Sequence, residues 1–399
     1  MTQEHQYIPT RFFNKNLILL IICQGLFLTN NVTFIAINGL VGLNLTPTPW
    51  MATLPIMGYV VGGALSTTLV SRVQRIWGRQ KSFQLGLLVA VFSALLCALA
   101  AYQRNFWLLT LGTLIAGFYS ANGQLYRFAA AELTDASFKE KAVSWVLAGG
   151  LLGAVIGPNL ASWTKNSFEV PFLGAYLSLA IAGALGIFIM GKIQFPAQAS
   201  KAIQASQPNR SLWQIAQQPI FIVAALSSAL SYGIMNLLMA ATPLAMEVCG
   251  YPFSDAALVL QWHVIGMFAP GFFTGHLIRR WGNLPIMWLG LLLNGACIAV
   301  ALSGTDLHQF FIALLFLGVG WNFLFTGATT LSLSTYEPSE KDKAQGLINF
   351  CVFSTMAVTS LSSGALITTQ GWEILNLASI FPLIITALGL SYLSLKSQK

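Results

Sequence analysis

Charge is the scarcest thing in this chain. Only 8% of its 399 residues are Asp, Glu, Lys or Arg, against about 25% in ordinary soluble domains. Hydrophobic residues make up 56%. A water-soluble globule of this size is excluded, because it could not hide so much apolar surface. Histidine is rare at 4 residues, and cysteine stands at 5. Cys23, Cys97, Cys249, Cys297 and Cys351 are odd in number and far apart, which excludes a disulfide framework or a metal-ligand spacing. Acid is missing where it would count most: none of the 12 Asp and Glu residues falls clearly at the middle of an apolar run. Buried carboxylates are the usual proton relays of membrane pumps, and that route is not offered here. No Gly-x-x-x-x-Gly-Lys-Ser/Thr loop, no His-Glu-x-x-His and no Gly-x-Ser-x-Gly occurs, so ATP-driven transport and an enzyme are both disfavoured. No cofactor and no metal is expected.

What the chain does have is long apolar runs. A bilayer-spanning helix needs about 20 such residues. Twelve runs of that kind occur, at 17–43, 51–71, 82–102, 106–127, 142–163, 171–191, 218–242, 255–278, 284–304, 308–332, 343–368 and 373–394. The first lacks a small-residue cleavage site and is read as a retained helix. With the N-terminus in the cytoplasm, 18 of the 20 Lys and Arg residues fall in cytoplasmic loops and tails. Only Arg104 and Lys165 fall outside, and this asymmetry places both termini in the cytoplasm. It also reads the net charge of +8 as topology and attraction to lipid headgroups, with no nucleic-acid partner.

The chain also repeats itself. Arg75-Ile76-Trp77-Gly78-Arg79 returns as Arg279-Arg280-Trp281-Gly282, with the Trp-Gly pairs 204 positions apart. Lys139-Glu140-Lys141-Ala142 returns as Lys341-Asp342-Lys343-Ala344, 202 positions apart. Two unrelated motifs sharing one offset point to a duplicated unit. The expected organisation is an N-terminal six-helix half at 1–191, a cytoplasmic linker at 192–217 and a C-terminal six-helix half at 218–399. Ser211-Leu212-Trp213-Gln214 has capping-box spacing and is expected to start a short interfacial helix.

Twelve helices in two halves, the basic Gly-containing loop between helices two and three, its copy between eight and nine, and the central linker resemble the major facilitator superfamily. The family signature there is Gly-x-Leu-Ala-Asp-Arg-x-Gly-Arg-Arg. Gly275, Leu277, Arg280 and Gly282 match it, with Arg279 where Asp is usual. In the first copy Ser71 replaces the opening Gly and Arg75 the Asp, while Gly78, Arg79 and Lys81 keep the basic end. The resemblance implies an all-α membrane protein with two pseudo-symmetric six-helix bundles that rock about a central site. It also implies a cytoplasmic gate at Arg72, Arg75, Gly78, Arg79, Arg279, Arg280 and Gly282, although both Asp residues of the family latch are lost. For Arg72 and Arg79, plain positive-inside anchoring is the alternative. Gly149 to Pro158 resembles the helix-five Gly-x-x-x-Gly-Pro motif often found in exporters. Gly153 and Gly157 suit close helix packing, and Pro158 a bend.

The resemblance places the solute cavity on helices one, four, seven and ten. The residues agree. Gln24, Asn31 and Asn38 are spaced by seven on helix one. Tyr119, Asn122 and Tyr126 share a stripe of helix four, and Tyr232 and Asn236 one of helix seven. Trp321 and Asn322 stand on helix ten. Amides in hydrocarbon must face protein or water, so each either lines a cavity or bonds helix to helix. His263 is the titratable group inside a span, either a proton-coupling group or a hydrogen-bonding neighbour. Arg127 either binds an anionic solute group or snorkels to the interface.

The expectation is a secondary transporter in the bacterial cytoplasmic (inner) membrane. It would work as a monomer among membrane lipids, moving a small, flat or aromatic organic solute by alternating access with proton coupling. An exporter of drugs, siderophores or metabolites on the same fold is the alternative. A receptor or assembly factor that no longer transports is the second. One topological outcome is testable directly: single cysteines placed at 196–210 are expected to react from the cytoplasmic side, and labelling from outside overturns the orientation.

Overall fold

The structure, a computed structural model, describes residues 14–134, 139–195, 210–337 and 340–397. Every regular element among them is helical. The first group comprises α1 (Lys15–Leu45), α2 (Leu54–Tyr102), α3 (Phe106–Gly123), α4 (Tyr126–Glu132), α5 (Lys139–Thr164) and α6 (Leu173–Gly191). The second comprises α7 (Leu212–Ala216), α8 (Pro219–Val248), α9 (Phe253–Phe268), α10 (Gly271–Trp281), α11 (Asn283–Leu302), α12 (Leu307–Ser332), α13 (Lys341–Thr369), α14 (Gly371–Ala378) and α15 (Ile380–Ser397). Local signals set several boundaries. Asn14 caps α1 by accepting from the Leu17 N–H at 2.9 Å. Ser211 and Gln214 form the reciprocal capping box at α7, leaving Trp213 exposed. Most of the linker, at 196–209, lies outside the described residues, as does Asp135.

By length and apolar composition nine described helices can cross a membrane, or ten with the bent pair α9–α10. Twelve were expected, and the shortfall has physical causes. α2 comprises two helical arms over 49 residues that double back at the non-helical Gly78. Its first arm runs along α3 in one sense, with Gly58 against Thr110 and Gly62 against Leu114. Its second arm runs in the other, with Gly86 against Asn122 and Cys97 against Gly112. Helix four is split into α3 and α4, and its lower end is polar with Tyr119, Ser120 and Asn122.

The reversal depends on backbone available to glycine. Gly78 has φ 79 and ψ 173. Gly282, its counterpart 204 positions on, has φ 86 and ψ 168. The two copies of the repeat therefore share one conformation that side chains disfavour. Around these turns Arg72, Arg75, Arg279 and Arg280 are exposed. Arg79 instead forks onto Glu132 at the end of α4, at 2.6 and 2.5 Å. This pair ties two elements of the first group together and does not bridge the two groups.

α5 lies against α1 at backbone distance. A Cβ on Gly153 would stand 2.6 Å from the Thr29 nitrogen, and one on Gly157 would stand 3.1 Å from the Thr29 carbonyl oxygen. The Thr33 hydroxyl donates to the Gly157 carbonyl at 3.0 Å. Small residues that let backbones approach drive helix association in lipid, where no hydrophobic force separates helix from tail.

Between the two groups, the described hydrogen bonds all lie at the end away from the termini. Thr53 donates to the Ser360 carbonyl at 2.5 Å and accepts from the Gly364 N–H at 2.9 Å. Asn159 donates to the Gln261 carbonyl oxygen at 2.6 Å. Phe172 and Phe253 meet edge to face at 5.0 Å, with the Lys165 ammonium over both rings. At the opposite end the described ion pairs stay within their own group. Arg210 forks onto Glu340 at 2.9 and 2.6 Å, and also donates to the Thr335 carbonyl. The Arg210 hydrogen bond, followed by the Glu337 N–H, holds the Glu340 carboxyl at about 2, below its ordinary 4.5.

Two outcomes follow. A side chain at 364 collides with Thr53, so Gly364→Ala is expected to favour opening at this end. Each latch bond is worth about 1 kcal/mol, which is roughly a fivefold shift in population. Spin labels at Trp50 and Gln370 should move apart, and unchanged separation contradicts the latch. Glu340→Gln should speed hydrogen exchange over 210–217 at neutral pH. Because the carboxyl pKa is lowered, the clasp contributes fully above about 4.5 and is lost as pH falls toward 2. Wild-type exchange, corrected for its intrinsic rate, should rise in that window.

Candidate functional site

The ten residues expected to line a cavity separate into two kinds. Four amides are spent on helix-to-helix bonds. Asn38 accepts from the Tyr176 hydroxyl of α6 at 2.5 Å. Asn122 accepts from the Ser82 hydroxyl at 3.1 Å and donates to the Phe118 carbonyl. Asn236 donates into α13, with the Ser360 hydroxyl at 2.8 Å and Thr359 at 3.0 Å. Asn322 donates to the Met267 carbonyl and accepts from Thr274, both at 2.7 Å. That last pair sits at the 41° break between α9 and α10. Pro270 interrupts the helix there, and the end of α9 leaves carbonyls without helical partners. Asn322 supplies one of the missing donors. Freeing any such amide for a solute would leave a buried polar group unmet, at a cost of about 1–3 kcal/mol.

The other six stand in or beside an aromatic chamber, a packed and buried group of rings that runs from the first group of helices to the second. Trp321 and Phe325 stack in parallel, 5.1 Å apart and 10° from coplanar. Tyr232 of α8 stands edge-on to both, at 5.2 and 5.3 Å. Phe268, at the end of α9, packs on Trp321 and also against the cluster that holds Tyr119 and Tyr126. In the first group Phe27 is edge-on to Tyr119 at 5.5 Å and to Tyr126 at 6.0 Å. Asn31 donates to the Tyr59 hydroxyl at 3.3 Å. Tyr59 and Arg127 both lie within electrostatic range of Tyr232 across the boundary. Offset rings of this kind are held by edge-to-face attraction, worth about 0.5–1.5 kcal/mol beyond their burial.

The polar atoms near this chamber that are buried without a protein hydrogen-bond partner include Gln24 Oε1, Arg127 Nε and Trp321 Nε1. Gln24 lies one turn before Phe27 on α1, and Arg127 adjoins Tyr126. Tyr59 and Phe268 were not among the residues expected from sequence. Tyr59 carried a signal, since it stands at the repeat offset from His263. Phe268 carried none, because its position depends on the break at Pro270.

His263 lies elsewhere. Its ring is fully buried, with Nδ1 2.7 Å from the Leu314 carbonyl of α12. That bond needs the ring proton on Nδ1. It joins α9 to α12 within the second group, and Nε2 is buried without a protein partner. Among the described residues no group of three His, Cys, Asp or Glu could hold a metal ion.

The comparisons with known proteins extend over the whole molecule. The family model of the Major Facilitator Superfamily matches residues 17–358 and 224–398. A riboflavin transporter of Brucella anthropi is 38% identical over 96% of this chain and 96% of its own length. An uncharacterized transporter of the same superfamily from Bacillus subtilis is 26% identical over 86% of this chain and 83% of its own. Among solved structures, a point mutant of the nucleoside transporter NupG superposes with a TM-score of 0.73 over 95% of this chain and 99% of its own, at 12% identity. A bacterial homologue of the iron transporter ferroportin, in an outward-facing state, gives 0.61 over 96% and 100%, at 16% identity. The structural likenesses show the fold. The sequence matches go further: this chain is a multi-pass membrane transporter and belongs to the major facilitator superfamily.

Proposed function

We propose that this transporter carries a flat heteroaromatic solute of the riboflavin class across the bacterial inner membrane by alternating access. The observation that carries the reading is the chamber of Trp321, Phe325 and Tyr232 facing Phe27, Tyr59 and Asn31. Parallel and edge-on rings suit a planar conjugated solute, and the amide and hydroxyl groups suit its polar edge. The riboflavin transporter of Brucella anthropi, similar over nearly the full length, supports the same class. The moving bodies in this reading are residues 1–191 and 218–399, joined by a cytoplasmic linker at 192–217. In this reading both termini are cytoplasmic, and the bonds of Thr53 and Asn159 hold the outer end closed.

Coupling is assigned differently from the sequence expectation. His263 is engaged with Leu314 through Nδ1, and its part in this reading is to hold α9 on α12. The helix-five glycines are accounted for by packing on α1, which leaves no specific observation in favour of export.

The test is riboflavin flux in proteoliposomes, with an imposed pH gradient on and off. Wild-type protein should move riboflavin. Trp321→Ala should weaken binding about tenfold through loss of the stacked ring. His263→Asn keeps a donor where Nδ1 stands and should leave flux and its response to the gradient unchanged. Absence of riboflavin flux sinks the substrate class. A gradient effect abolished by His263→Asn restores the histidine to the coupling step.

A further inference from the structure

We propose that Arg127 reads the solute: its guanidinium takes an edge bearing two adjacent hydrogen-bond acceptors, neutral or anionic, while the solute's ring lies against Trp321 and Phe325. The inference rests on the chamber and deepens the function just proposed.

Arg127 is unlike the other described cations. Arg79 is paired with Glu132, and Arg210 with Glu340. Arg72, Arg75, Arg279 and Arg280 are exposed at the turns. Lys165 lies over Phe172 and Phe253 at the far end. Arg127 follows directly on Tyr126 in α4 and has no acidic partner among the described residues. The acid best placed by sequence is Glu132, five positions on, and both of its oxygens are taken by Arg79. The Arg79–Glu132 pair therefore has a second effect, which is to keep a carboxylate off Arg127.

The surroundings of Arg127 limit what it can bind. One face of the guanidinium is covered by the Phe128 ring, 4.9 Å from its central carbon. A guanidinium donates only in its plane, through a rigid fork, so its edge is the part that recognises. Its Nε is buried without a protein partner, while the side chain as a whole is half-buried. Tyr232, which caps the Trp321–Phe325 stack, lies within its electrostatic range. A cation thus borders an aromatic chamber that holds no compensating acid among the described residues. Planar cations are repelled. Planar solutes with a carbonyl beside a ring nitrogen, as on the pyrimidinedione edge of a flavin, offer the fork two acceptors at once. A carboxylate or phosphate group would offer the same pair with charge added.

The experiment measures binding to the full-length protein in nanodiscs, by thermal shift and by quenching of probe fluorescence where a probe has any. The probes are riboflavin, riboflavin 5′-phosphate, nicotinate, phenazine and the planar cation proflavine. Phenazine keeps the tricyclic ring but lacks the carbonyl edge. Arg127→Gln should weaken acceptor-edged probes about 10- to 100-fold, the range of a hydrogen bond to a charged group. It should leave phenazine unchanged and raise proflavine affinity. Arg127→Lys keeps the charge and loses the fork. It should recover the anionic probes in part and riboflavin hardly at all. Equal loss for riboflavin and phenazine, or no Arg127 dependence for any acceptor-edged probe, overturns the proposal. A fall in melting temperature of the free protein in both variants, with all probes weakened alike, assigns Arg127 to structure and overturns it too. If wild type ignores both flavins but binds nicotinate in an Arg127-dependent way, the riboflavin reading falls and this inference stands.

Discussion

Hydrocarbon gives a polar group no partner except the protein, and that constraint governs the placement of nearly every polar residue in this chain. Helices answer the backbone's own demand. Side-chain amides must be answered one by one. Asn38 finds Tyr176, Asn122 finds Ser82, Asn236 finds the hydroxyls of α13, and Asn322 finds the broken end of α9. Interhelical bonds of this type average only about 0.6 kcal/mol in membranes. Their value lies in the alternative they avoid, since an unmet amide in the same place costs more. Polar atoms left unmet beside the chamber are therefore the informative ones, because nothing else in the fold requires them there.

The same constraint explains which parts of the molecule could be read from the sequence. Spans, linker signal and repeat were legible because each is a run or an offset along the chain. The Trp-Gly repeat proved to be a repeat of backbone conformation: Gly78 and Gly282 take the same glycine-only angles. Capping at Ser211 was legible because a cap is a local arrangement of four residues. The reversal at Gly78 agrees with the two separate runs 51–71 and 82–102, whereas helix four is harder to count because its polar residues make it look less apolar.

The site was legible in part. Spacing puts Asn31 and Asn38 on one face of α1, but spacing is blind to what stands opposite. One meets Tyr59 beside the chamber, and the other meets Tyr176 on the outer side of the same bundle. Tyr232 and Asn236 share a stripe of α8 and still divide between the chamber and α13. An amphipathic stripe on a helix wrapped by neighbours has more than one partner helix within its arc. Aromatic residues proved better guides than amides here. An amide can turn to a neighbouring helix, as Asn236 does to α13, whereas these rings gather where several helices meet.

The hydrogen bonds that seal the end away from the termini join neutral groups, a threonine hydroxyl on main-chain atoms and one carboxamide on another, and the Lys165 ammonium there lies on two rings with no ion pair among the described residues. The orientation expected from the positive-inside asymmetry would turn that face toward the outside medium, whose salt and acidity a cell does not regulate. Ion pairs in that position would strengthen in fresh water, weaken in brine and fail in acid. Hydroxyl and amide bonds do none of these things. In that orientation the balance between closed and open at this face would be buffered against the habitat, while the described carboxylate–guanidinium clasps, Arg79–Glu132 and Arg210–Glu340, would meet the cell's own controlled ionic strength.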